Sequence, residues 1–319
     1  GLDMQPSKFA NMLGNALFVG LFSFLVFFGL GFAVGFVFGY TVIESTIIGV
    51  AMMFSSTIIG IKLLPTTVLH HRRTGELVVS LLLIQDFLAI IVLLVLTGGF
   101  VEDFSGIARF GKVVLGLPLL IVFAWLFVKY VLLNILTKFD AFHEYIFLVA
   151  IGWCLGLSEL ATFIGLSHEI GAFIAGVSVA TSPISIYIAT NLKPLRDFFL
   201  VLFFFSLGAG FQLGLLGEIF IPAMIMAALV LLLKPIVFHG LLRSLSETDT
   251  NSWEIGFRLG QISEFSLLIA FIASAGHLIG DHASHLIQAT AILTFLLSSY
   301  IVVFRYPTPI GVSEKLRRD

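Results

Sequence analysis

Apolar residues run through this chain in long blocks separated by short polar connections. The blocks fall at 11–38, 44–64, 75–97, 109–132, 143–160, 166–182, 195–213, 218–243, 252–275 and 283–304. A helix needs roughly 20 mostly apolar residues to cross the hydrocarbon core of a bilayer. The pattern therefore predicts an all-α polytopic membrane protein of about ten transmembrane helices. No long hydrophilic insert divides the blocks, so no soluble domain is expected within the chain.

Composition supports this reading. The chain is 59% hydrophobic and only 11% charged, with a mean hydropathy of +1.10. A soluble domain is about half apolar and about a quarter charged. A chain this apolar could not cover itself with polar surface in water, and its 34 Phe residues suit lipid-facing and interhelical packing. The net charge of −2 points to no partner, and the absence of a basic run with interleaved aromatics argues against nucleic acid. The single cysteine, Cys154, has no internal disulfide partner and no metal-ligand spacing. Gly1 to Met12 is polar and mixed, unlike a signal peptide. With no initiator Met at position 1, further chain upstream is expected.

The positive-inside rule orients the helices. Lys62, Arg72 and Arg73 follow the second block, Lys138 the fourth, Lys193 and Arg196 the sixth, and Arg243 the eighth. Arg305, Lys315, Arg317 and Arg318 form the tail. All lie on one side, expected to be cytoplasmic, as are both chain ends. The alternate loops carry Glu102, Asp103, Glu218 and Asp281, with Arg109 and Lys112 as the basic exceptions.

In this orientation the first three blocks begin in the cytoplasm and the last three outside. If the triplets are related, they are inverted. The middle block of each is the odd one. Ser55, Ser56, Thr57 and Gly60 interrupt 44–64, and Gly256, Gly260, Gln261, Ser263 and Glu264 interrupt 252–275. Polar, glycine-broken helices at matching places in inverted halves point to a transport site, because a broken helix exposes backbone groups that lipid cannot satisfy and an ion can. The competing reading is hydroxyls bonded back to their own helix and glycines that allow close packing.

Asp86 is the sharpest candidate. It sits mid-helix, where a carboxylate costs roughly 2.5–3.5 kcal/mol on insertion scales and is tolerated when it faces a cavity and binds a cation or proton. Gln85 beside it offers a carbonyl oxygen without charge. Lys234, mid-helix before Pro235, reads either as a counter-charge to Asp86 or as part of a fixed structural salt bridge. Glu264 and Arg258 are too far apart to stack on one helical face. Glu264 is a candidate to assist the site, and Arg258 to stand near its cytoplasmic entrance. His70, His71, Arg72 and Arg73 read as a solvated loop. Ser167-His168-Glu169 lacks the second His of a zinc-protease motif, and neither a phosphate loop nor a GxSxG elbow is present. No covalent catalysis is expected. An intramembrane aspartyl protease would need a second catalytic Asp in a GxGD-like context, which is missing.

Several stretches together resemble the cation/proton antiporter-2 family, and within it the Kef-type potassium efflux branch. They are Gly1 to Pro6, FSSTIIGIKLL, LLLIQDFLAI, GLSHEIGAFIAGVSVATSP, NLKPLRDFFLVLFFFSLGAGFQL, Lys234-Pro235 and GQISEFSLLIAFI. They cover most of the chain in the expected order. The resemblance implies a sodium/proton-antiporter-like inverted-repeat fold with two crossing broken helices. About three further helices would precede Gly1, belonging to the scaffold and homodimer interface. It places the essential carboxylate at Asp86, the Kef-type pairing at Gln85-Asp86, and the first broken helix at Ser56 and Thr57. It also places the basic residue at Lys234 and the acidic residue of the second break at Glu264, with Ser263 where Gly is usual. A cytosolic nucleotide-sensing domain or subunit outside the chain is a further implied partner.

The expected layout is a first half of the ion-transporting core at 1–97, a linker helix at 98–142 and scaffold helices at 143–213. A second core half at 214–304 and a cytoplasmic tail at 305–319 complete it. The expected function is monovalent cation/proton antiport by alternating access in a bacterial or archaeal inner or plasma membrane. One carboxylate, Asp86, would take K+ (or Na+) and H+ in turn, with Gln85, Thr57, Ser56 and freed backbone carbonyls replacing part of the cation's hydration shell and with no cofactor in the chain. The alternative is a gated potassium efflux channel with Asp86 as a selectivity element.

Overall fold

The computed structural model describes residues 13–65, 73–98, 104–138, 143–180, 182 and 184–309. Among these every regular element is helical. They are α1 (Leu13–Val37), α2 (Val42–Met53), α3 (Thr57–Lys62), α4 (Arg73–Gly98) and α5 (Phe104–Phe127), which runs through a π-helical turn at Val128–Leu132 into α6 (Leu133–Lys138). Then come α7 (His143–Ile164), α8 (His168–Ala180), α9 (Ser185–Ala209), a 3-10 turn at Leu213–Leu215, α10 (Leu216–Ser244), α11 (Asp249–Arg258), α12 (Glu264–Ala275) and α13 (Asp281–Arg305). Among the described residues six helices are long and apolar enough to cross a membrane: α1, α4, the joined α5 and α6, α7, α10 and α13. Helices α2, α8 and α12 are shorter apolar pieces.

With α2–α3 and α11–α12 each taken as one interrupted pass, the helices follow the apolar blocks of the sequence. The largest difference in boundary is at α9. Helix α9 begins at Ser185 rather than near 195, because its first turns carry Asn191, Lys193 and Arg196, which hydropathy reads as loop. The opening Gly1 to Pro6, the His70-His71-Arg72 cluster, Glu102 and Asp103, and Lys315, Arg317 and Arg318 lie outside the described residues.

The chain divides into two compact units, one of Ile90–Gly210 and one of the described parts of Phe9–Ala89 and Phe211–Asp319. In the first, α7 and α8 pack as a hairpin with α5 against them, around Leu120, Ala124, Leu157, Ala161, Ile170 and Ile174. Their closest approach is at Gly171, where an added Cβ would lie 2.6 Å from Ser158 Cα. Trp153 stacks on Phe127 at 4.8 Å and donates to the Ala175 carbonyl at 3.2 Å.

In the second unit α1 lies along α2, and α10 along α11 and α13. Phe27, Leu77, Leu81, Leu82, Phe238 and Leu259 form its core. Both close crossings use glycine. A Cβ at Gly49 would meet the Phe28 carbonyl at 2.8 Å, and one at Gly256 would meet the Pro235 carbonyl at 2.7 Å. Large apolar side chains such as Phe163, Phe205, Phe271 and Phe304 stand exposed on helices of both units, a surface suited to hydrocarbon and prone to aggregate in water.

Candidate functional site

Two helices of the second unit are interrupted, and local chemistry explains where. Helix α2 ends at Met53, and Phe54 is extended, with φ −88° and ψ 150°. The chain becomes helical again at Thr57, where Ser56 is the N-cap and its hydroxyl oxygen accepts from Ile59 N at 3.2 Å. Helix α11 ends at Arg258, and α12 restarts at Glu264 behind Ser263, which accepts from Phe265 N at 3.1 Å. Ser and Thr are strong N-caps because their oxygens satisfy amide protons that a new helix leaves open. Each break therefore has a starting signal for the next helix written into it.

Ending a helix leaves carbonyl oxygens without partners, at a cost lipid cannot offset. Here each interrupted helix supplies donors to the other. Ser55 Oγ donates to the Leu259 carbonyl at 2.8 Å. Ser266 Oγ donates to the Ala51 carbonyl. Gln261 Nε2 donates to the Arg258 carbonyl at 3.0 Å and reaches the Ser56 carbonyl at 3.5 Å. Lys234 of α10 joins both breaks, its Nζ donating to Phe54 O at 2.7 Å, to Gln261 O at 3.1 Å and to Ser55 Oγ at 3.4 Å. The ammonium is fully buried, 5.1 Å from the Phe27 ring centroid.

Charge follows the helix ends. The negative ends of α2 and α11 meet the Lys234 cation. The positive ends of α3 and α12 carry the carboxylates, in the sense the helix dipole favours. Asp86 of α4 is 6% exposed, and its Oδ1 accepts from the hydroxyl of Thr57, the first residue of α3, at 3.1 Å. Glu264 is the first residue of α12, in the second break. Gln85 Oε1 accepts from Ser55 N at 2.8 Å. Its Nε2 is buried with no hydrogen-bond partner among the described residues.

The candidate residues thus fall into four groups, with Arg258 apart from the rest. Asp86 and Thr57 bring together a carboxylate and a hydroxyl, and Glu264 stands at the head of α12 in the second break. Gln85 and Ser56 brace the first break. Both Ser56 oxygens already accept, the hydroxyl from Ile59 N and the carbonyl from Gly60 N at 3.0 Å. Lys234 makes no ion pair with Asp86 among the described residues. The break carbonyls present a richer set of acceptors to a buried ammonium than one carboxylate does.

Arg258 closes the end of α3 instead of lining the carboxylates. Its Nη1 donates to the Leu63 carbonyl at 2.8 Å and its Nη2 to the Pro307 carbonyl at 2.8 Å, while it pairs with Glu254 at 2.8 Å. Arg73 pairs with Glu247 at 2.6 Å. The sequence reading assigned no role to Ser298 or Thr294 of α13, which hold the second break through Gln261 Oε1 at 2.8 Å and Ile262 N at 3.4 Å. The available signal was the run Thr290, Thr294, Ser298, three hydroxyls four apart on one face of α13.

A buried carboxylate at the meeting of two interrupted helices defines a class of membrane transport protein. The family model for the transmembrane sodium/hydrogen exchanger matches residues 1–304, so the chain belongs to that family and is an integral membrane protein. It is 26% identical over 257 residues to the iron transporter MagA of Paramagnetospirillum magneticum, covering 80% of this chain and 59% of that protein. It is 26% identical over 284 residues to K(+) efflux antiporter 5 of Arabidopsis thaliana, covering 86% of this chain and 49% of the relative. K(+) efflux antiporter 4 of the same plant is 25% identical over 285 residues, covering 86% and 47%. The chain therefore spans about half the length of the relatives it matches.

Proposed function

We propose that this protein exchanges a monovalent cation, potassium, for protons across a bilayer by alternating access, with Asp86 holding cation and proton in turn. The observation that carries the reading is a buried Asp86 carboxylate beside the head of α3, hydrogen-bonded by Thr57. A carboxylate in that setting is stable when neutralised, and either a proton or a cation neutralises it. Competition for one site then gives exchange. A bound cation excludes the proton, a bound proton excludes the cation, and the loaded forms are the ones that cross.

The choice of potassium draws on two kinds of support. Relatives are named K(+) efflux antiporters, and carboxyl and hydroxyl oxygens are ligands for hard cations, the alkali metals among them. One relative is named an iron transporter. Iron(II) sites lean on imidazole or thiolate ligands, and Asp86, Thr57 and Glu264 offer oxygen alone.

The test is proton movement in proteoliposomes reported by a pH-sensitive dye on addition of potassium, sodium or ferrous iron. Potassium-driven proton flux is expected. Potassium flux without coupled protons would replace the exchanger with a gated channel, and a response to iron alone would overturn the choice of cargo.

A further inference from the structure

Gln261, in the second break, is fully buried and bonded in three directions. Its Oε1 accepts from Ser298 Oγ at 2.8 Å. Its Nε2 donates to Arg258 O at 3.0 Å and reaches Ser56 O at 3.5 Å. Its main-chain oxygen receives Lys234 Nζ at 3.1 Å. These partners fix which way round the amide stands. Turned over, Oε1 would face two carbonyl oxygens and have no proton to offer them. Ser298 holds the correct orientation because its hydroxyl donates to Oε1.

The far end of this bridge is Ser56, the N-cap of α3. The next residue is Thr57, whose hydroxyl bonds Asp86. A shift of the Ser56 peptide therefore moves the hydroxyl that serves the carboxylate.

We propose that Gln261 is a positioning residue for the cation site, setting the placement of Thr57 against Asp86 from the opposite break, and that Ser298 fixes its amide in the working orientation. The inference rests on the exchange assigned above to Asp86. It makes two chemical demands. The residue at 261 must donate toward Ser56 and Arg258, which a carboxylate cannot do and a neutral carboxyl can do once. The residue at 298 must donate to Oε1, which Thr can do and Ala cannot.

Cation-dependent proton flux in proteoliposomes, followed against cation concentration and pH, reads both demands. Ser298→Ala is expected to raise the half-saturating cation concentration about three- to tenfold, the effect of loosening one buried hydrogen bond, with a smaller change in maximal rate. Ser298→Thr should restore it. Gln261→Glu should lose exchange on the alkaline side of the pH profile and keep it on the acid side.

A wild-type half-saturation in Ser298→Ala, a loss confined to maximal rate, or an unshifted pH profile in Gln261→Glu would overturn the inference. Should Gln261→Glu fail to fold, the Ser298 pair decides alone. A wild-type protein with no cation-dependent proton flux would sink the exchange reading itself, a result separable from a failure at Gln261.

Discussion

At the scale of single residues, the site separates its charges by the oxygens each can find. Lys234 is buried among carbonyl oxygens, where its protons satisfy acceptors that the ends of α2 and α11 leave open. Removing the donor leaves those acceptors dry. With roughly 1–3 kcal/mol for each buried group left unpaired, Lys234→Met should cost about 2–5 kcal/mol of unfolding free energy. A thermal or denaturant melt in detergent would read this, and a melt like wild type would show that the carbonyls find other donors. Thr57 acts through one hydroxyl. Thr57→Val keeps the shape and removes the bond to Asp86, so the half-saturating cation concentration should rise about tenfold, the scale of one hydrogen bond to a charged group. Thr57→Ser should stay close to wild type. Titrating proton flux against cation separates these outcomes.

At the scale of elements, the interrupted helices depend on close backbone approach as much as on polar contacts. Gly256 lets α11 settle on α10 at Pro235, where a Cβ would sit 2.7 Å from the carbonyl oxygen, whereas a Cβ at Gly240 on α10 meets nothing within 4 Å. Gly256→Ala is therefore expected to destabilise by about 1–3 kcal/mol, as overpacking does, while Gly240→Ala leaves the melting temperature near wild type. Equal melting of the two variants would contradict this crossing.

Much of this scale was legible in sequence. Apolar blocks gave the passes, and Ser55, Ser56 and Thr57 in one helix and Gly256, Gly260 and Ser263 in another marked the interruptions, because capping hydroxyls and glycines are local signals. The first turns of α9 were not legible, since Asn191, Lys193 and Arg196 look like loop to any hydropathy measure. The bonds from Ser55 to Leu259 and from Gln261 to Ser298 were not legible either, because partners far apart in sequence meet only once the helices pack. For the same reason the bonds from Lys234 to the carbonyls of Phe54 and Gln261 could not be read from the sequence.

At the scale of the whole molecule, the residues assigned to exchange lie within one compact unit, formed from both ends of the described chain. Asp86 stands on α4, just before Ala89, after which the chain enters the other unit. The stretch before Ala89 and the stretch after Phe211 thus contribute one interrupted helix each to a shared centre. The first brings Thr57 and Asp86, and the second brings Lys234, Gln261 and Glu264. If a single carboxylate in this centre is shared by cation and proton, the two fluxes stand or fall together. The most direct measurement is paired proton and rubidium-tracer flux in the same proteoliposomes, for wild type and Asp86→Asn, with melting curves to show that both are folded. The account predicts coupled fluxes in wild type and loss of both together in a folded Asp86→Asn protein. Coupled flux that survives in Asp86→Asn would contradict it.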